Sequence, residues 1–126
     1  MRRKKILLVD DAKTVILMEQ MILNRPDLQL ITAHDGDQAI ELALSEKPDL
    51  ILLDVVMPTL TGIEVCQRLR GEPATKATPI IMVTTRGEEQ YIESARAAGC
   101  TDYVTKPLDA ARLLGKVRQL LDLKDA

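Results

Sequence analysis

The chain has 126 residues, a formal charge of −2, 46% hydrophobic residues and 29% charged residues. That is the size of one domain, expected over residues 1–126, and it is long enough to bury roughly two-thirds of the surface its unfolded form exposes. The charge balance leaves no basic footprint for nucleic acid, and no apolar run approaches the roughly 18 residues of a membrane span.

In chain order, the first apolar run is Ile6–Val9, preceded by Arg2-Arg3-Lys4-Lys5 and closed by Asp10-Asp11. It is too short and too soon charged for a secretory leader, so a cytoplasmic location without membrane contact is expected. Leu50–Leu53 and Ile80–Val83 are runs of the same kind. Continuous runs of this length suit strands buried on both faces of a parallel sheet. Leu28, Leu30 and Ile31 predict a weaker second strand, and Tyr103-Val104 a short fifth.

Helical patterns fill the gaps. Val15, Met18 and Ile22 predict one face of a first helix stopping before Pro26, with Met18, Met21 and Met82 filling core. Ala39, Ile40, Ala43 and Leu44 mark a second helix, ending before Pro48, and Val65, Cys66 and Leu69 a third, ending near Gly71. Ile92, Ala95 and Ala98 mark a fourth, stopped by Gly99. Leu113, Leu114, Val117, Leu120 and Leu121 give the clearest 3.6-residue stripe, the fifth. Residues 71–79 read as a surface loop, and with so few residues after the fifth helix no output domain is expected within residues 1–126. Strand–helix five times over, with right-handed crossovers, predicts a doubly wound, flavodoxin-like α/β domain in strand order 2-1-3-4-5.

In such folds ligands sit at the carboxyl ends of the strands. Here those ends carry Asp10-Asp11, Asp54, Thr84-Thr85 and Thr105-Lys106-Pro107. A polar residue after one strand marks only the start of a loop. Three acids on adjacent strands repel one another, by about 4 kcal/mol for a pair near 4 Å at an effective dielectric of 20. A hard divalent cation such as Mg²⁺ resolves that repulsion and leaves positions for phosphate oxygens. One carboxylate can then act as nucleophile toward a phosphoryl group, with Lys106 as a point charge and Thr84 as a hydroxyl donor.

With these residues in place the sequence resembles a response-regulator receiver domain of bacterial two-component systems along nearly its whole length. The matching pieces are Ile6–Asp11, Ala33–Ala39, Leu53–Pro58 with Gly62, Met82–Thr84 and Tyr103–Pro107. The resemblance implies Asp54 as phosphoacceptor and Asp10, Asp11, Asp54 and the Val56 backbone carbonyl as the Mg²⁺ site, with Mn²⁺ able to substitute. It implies Lys106 as the phosphate-contacting lysine, Thr84 as switch hydroxyl, Tyr103 as switch aromatic, and a cis Lys106–Pro107 peptide. It implies, as partners, a sensor histidine kinase or phosphotransfer protein on one side and a downstream effector or output domain on the other. Direct nucleic-acid binding is not expected, and a homodimer on activation stays open. The domain would be no enzyme beyond its own phosphorylation and slow dephosphorylation. Apolar Val55 and Val56 and basic Arg86 flank the expected path of an attacking water, and Val56 cannot orient one. Thr85 and Leu108 stand where the family often has alanine and an aromatic.

Two other readings compete. One is a receiver-like interaction module that works without phosphorylation. The other is an aspartate-nucleophile phosphatase, which usually carries Asp-x-Asp on its first strand, whereas this chain has Asp10-Asp11 and no cap domain. His34 reads as a loop residue without a metal partner. Tyr91 reads as surface and Met57 as exposed in the acceptor loop. Arg112, Lys116, Arg118 and Lys124 read as a solvated face, and Cys66 and Cys100 as reduced thiols.

Overall fold

A computed structural model describes residues 3–85 and 90–123. The expectations for Arg86 and Lys124 lie outside the described residues. Five strands, β1 (Lys4–Val9), β2 (Leu28–Ala33), β3 (Leu50–Asp54), β4 (Ile80–Thr85) and β5 (Asp102–Lys106), alternate with five helices. The helices are α1 (Lys13–Ile22), α2 (Gly36–Glu46), α3 (Gly62–Arg70), α4 (Gln90–Ala97) and α5 (Ala110–Leu121). All strand pairs are parallel, in the order β2-β1-β3-β4-β5. That is the doubly wound architecture predicted from the apolar runs.

The central strands obey the period of two that a pleated sheet imposes. Leu7, Val9, Ile51, Leu53, Ile80 and Met82 point into one core layer with Ala39, Ala43, Val65, Cys66 and Leu69. Ile6, Leu8, Leu50, Leu52, Ile81 and Val83 point into the other, with Ile16, Leu23, Leu113, Val117 and Leu121. Each large apolar side chain buried this way stabilises the fold by about 1.5–3 kcal/mol. Helix starts are fixed locally. Asp35 accepts from the Gln38 N–H, and Asp109 from the Arg112 N–H. Thr61 and Glu64 close a reciprocal capping box at the start of α3.

Several sequence expectations are corrected. The fully buried positions along α1 and its C-cap are Ile16, Glu19 and Leu23; of the expected stripe, Ile22 packs half-buried against the second core layer, Val15 is half-buried and Met18 is exposed. Met18 and Met21 lie in solvent, 45% and 78% exposed, while Met82 is core as expected. Residues 15–18 and 21–23 are all apolar, so periodicity alone does not set the helix phase. Met57 is buried, because the acceptor loop folds back onto the sheet and joins the first core layer. In the 71–79 loop Thr78 and Pro79 are half-buried and the rest is exposed except for Thr75, whose hydroxyl is buried and donates to the Leu69 carbonyl at 2.6 Å. Lys116 is half-buried and bonds Asp102 at 2.7 Å, so it is no freely solvated charge.

Candidate functional site

Sheet register assembles the site. Val9 pairs with Leu53, so the next residues, Asp10 and Asp54, come abreast at the carboxyl edge. Asp54 pairs with Val83, one residue before Thr84, and Thr85 pairs with Lys106. Four chain segments therefore end within about two residues of one another. One ligand oxygen each from Asp10, Asp11 and Asp54 lies within 4.8 Å of the other two. The Lys106 ammonium sits 3.1 Å from Asp10 Oδ2 and 3.5 Å from Asp54 Oδ1. Asp10 and Asp54 are buried and Asp11 is exposed, so the acids span the wall from core to mouth.

Local bonds orient these groups. Asp10 Oδ1 accepts from the Ala12 N–H at 2.9 Å, which turns the chain into α1 and leaves Oδ2 facing inward. Lys106 reaches that oxygen as an ion pair, but no aligned hydrogen-bond donor meets it. The buried Thr84 hydroxyl donates to the Val104 carbonyl at 3.4 Å, a long bond that is cheap to exchange. The Lys106–Pro107 peptide is cis, as the resemblance implies. Val56 turns its side chain to solvent, whereas Val55 is buried. Tyr103 is half-buried at the edge of the first core layer.

The electrostatics carry the signature of unbalanced negative charge. Burial, and then the neighbouring Asp10, push the Asp54 carboxyl up to about 7, with Asp11 adding and Lys106 opposing. Burial alone would lower the Lys106 ammonium, but Asp54 and Asp10 outweigh it and hold it charged above its ordinary value. Three carboxylates against one ammonium, with an all-oxygen donor set and an inward oxygen lacking a hydrogen bond, fit a hard divalent ion.

Sequence reasoning missed Glu19. It lies 1% exposed on the inner face of α1, with Oε1 unpartnered. Burial first, then Asp10, raise its carboxyl to about 8, with Lys106 opposing and Asp54 adding. The only available signal was a lone acid at a position a helix stripe assigns to core. A proton on Glu19 is held in the folded state and lost from the unfolded chain above about pH 4.5. Its contribution is thus fully present in acid and disappears as pH rises through about 8. We expect Glu19→Leu to stabilise the metal-free protein at pH 7 by on the order of 2 kcal/mol. The gap to wild type should widen between pH 4.5 and 8 in urea denaturation, and a gap independent of pH would count against a neutral buried Glu19.

Fold and edge together define a doubly wound α/β domain with an acidic, cation-ready carboxyl edge. The chain belongs to the response regulator receiver domain family, whose model matches residues 6–118. It is 42% identical over 118 residues to the alkaline phosphatase synthesis transcriptional regulatory protein PhoP of Bacillus subtilis, covering 94% of this chain and 48% of that protein. It thus spans about half the length of that curated relative. It is 36% identical to protein PilH of Pseudomonas aeruginosa, covering 93% of this chain and 97% of PilH. Among solved structures it superposes on the chemotaxis response regulator CheY4 of Vibrio cholerae with a TM-score of 0.86, at 31% identity, over 94% of this chain and 98% of that one. It also superposes on the receiver domain of a Pseudomonas aeruginosa sensor histidine kinase, solved with magnesium coordinated in its active-site cleft. There the TM-score is 0.87, at 27% identity, over 95% of this chain and 98% of that one. No helix among the described residues is long and apolar enough to cross a membrane.

Proposed function

We propose that residues 1–126 form one receiver domain in which Asp54 accepts a phosphoryl group from a histidine kinase or phosphotransfer protein in a Mg²⁺-dependent reaction. The observation that carries this reading is the convergence of Asp10, Asp11 and Asp54 within 4.8 Å, with Lys106 bridging two of them. Asp10, Asp11, Asp54 and the Val56 carbonyl would hold the ion, and Mn²⁺ has the same oxygen preference. When bound, Mg²⁺ supplies charge neutralisation and coordination of phosphoryl oxygens.

The chain's own residues do the rest. Asp54 is buried, but one of its oxygens lies within 4.8 Å of an oxygen of the exposed Asp11, the side from which a phosphoryl donor would approach. Its carboxyl must be ionised to attack, and compensation of the negative charge around it brings it below its metal-free value of about 7. Lys106 keeps its proton and neutralises the incoming oxygens. Thr84 can exchange its long bond to Val104 for a phosphoryl oxygen. Tyr103 then turns into the vacated space, altering the surface of α4, β5 and α5 that an effector or output domain reads. Catalysis is confined to the domain's own phosphorylation and dephosphorylation.

The test is exposure of the protein to acetyl phosphate with and without Mg²⁺, read by intact mass. One phosphoryl group is expected, only with the ion. A phosphorylation-independent module would neither label nor respond to Mg²⁺, and an outward-acting phosphatase would turn over a chromogenic ester.

Loss of the phosphoryl group should be slow. Val56 exposes a branched hydrocarbon beside the acceptor and cannot hold a water for attack. We expect the phosphorylated protein to survive for many minutes, and Val56→Gln to shorten that life by roughly ten-fold or more. Decay of the unaltered protein within seconds would contradict this.

A further inference from the structure

Tyr103 does not stand alone at the edge of the sheet. The guanidinium carbon of Arg96, on α4, lies 5.8 Å from the centroid of its ring. We propose that Arg96 is a positioning residue for Tyr103: by lying over the ring it holds the half-buried orientation seen here, and its release is part of the switch. This rests on the switching reading of Tyr103 given above.

The surroundings favour a specific role for this contact. Asp102 accepts from the Tyr103 N–H at 2.8 Å and is itself held by Lys116 at 2.7 Å, so the backbone under the ring is fixed. Motion of the ring therefore falls to side-chain rotation. Thr84 bonds the carbonyl of the very next residue, Val104, so the hydroxyl and the ring share one short piece of β5. Arg96 has an alternative anion in Glu93, but at 4.0 Å and with both side chains largely exposed, that pair is weak competition. The chain has two tyrosines and no phenylalanine or tryptophan. A guanidinium over an aromatic face at an exposed site biases a two-position equilibrium by about two- to five-fold.

The 126-residue chain carrying Tyr91→Phe and 3-fluorotyrosine has Tyr103 as its single fluorine reporter. Its ¹⁹F NMR signal is compared without phosphate and after treatment with Mg²⁺ and acetyl phosphate. Arg96→Leu keeps aliphatic cover but removes the cation. It should move the unphosphorylated signal toward the phosphorylated position, changing the ratio of the two states by about two- to five-fold. Arg96→Lys, which retains a cation, should stay close to wild type. Arg96 is 60% exposed, so far-UV circular dichroism should show both variants folded. A signal that phosphorylation moves but Arg96→Leu leaves in place overturns the role of Arg96 and spares the switch. Equal shifts in the Lys and Leu variants also overturn it. A signal that phosphorylation does not move in the protein with Arg96 intact brings down the switch reading itself.

Discussion

Asp54→Asn should abolish phosphoryl uptake while leaving the fold intact. Asparagine matches the aspartate in shape, so the position beside Val83 and the buried edge of β3 are kept. It lacks the anionic oxygen that forms the acyl phosphate, and no neighbouring acid is equally placed. Asp10 has one oxygen bound by the Ala12 N–H and the other paired with Lys106 at 3.1 Å, and Asp11 stands exposed at the mouth. With Mg²⁺ and acetyl phosphate, labelling measured by intact mass should fall to background. The same substitution should stabilise the metal-free protein. An acid held up to about 7 by burial and by Asp10 withdraws stability as pH rises from about 4 through 7, and a neutral amide removes that loss. The gain at pH 8 in a chelating buffer should be about 1–3 kcal/mol by urea denaturation. Phosphoryl mass appearing on Asp54→Asn at the wild-type rate would place the acceptor elsewhere.

The site was legible because strands of a parallel sheet end together. Once Ile6–Val9, Leu50–Leu53 and Ile80–Val83 are read as buried strands, the residues that follow them share an edge, and register does the rest. The phase of α1 was not legible. With apolar residues on both sides of it, the helix could bury either stripe, and Glu19, four residues after Val15 and three after Ile16, borders both. The fold buries Glu19 with Ile16, which leaves Leu17, Met18 and Met21 exposed. Met57 was misplaced because its burial depends on how the loop from Asp54 returns to α3, a tertiary path that no local pattern encodes. The pairing of Arg96 with Tyr103 was hidden for a similar reason. It joins a helix face to a strand edge across the α4–β5 turn, so neither the helical nor the strand period relates the two residues.

That loop also sets the largest stability effect we expect. Gly62 opens α3 and its N–H donates to the Val55 carbonyl at 2.7 Å, which draws the helix start against the end of β3. A Cβ there would overlap the Asp54 carbonyl oxygen and lie 2.9 Å from Val55 Cα. Backbone on both sides cannot yield as a flexible side chain would. The start of α3 is pinned by the Thr61–Glu64 capping box, and Thr59 already holds a positive φ of 72°. Slack is therefore lacking, and Gly62→Ala should cost about 3–5 kcal/mol. Because the displaced atoms belong to Asp54 and Val55, the surviving folded fraction should also label more slowly with acetyl phosphate. Gly115 supplies the control. It lies inside α5, and a methyl group added there would meet nothing within 4 Å, so Gly115→Ala should gain about 0.5–1 kcal/mol from helix propensity alone. Urea midpoints moving in opposite directions for the two substitutions would separate close backbone approach from a general intolerance of glycine replacement. A Gly62→Ala protein as stable as wild type would mean that β3 and α3 do not meet as closely as this geometry requires.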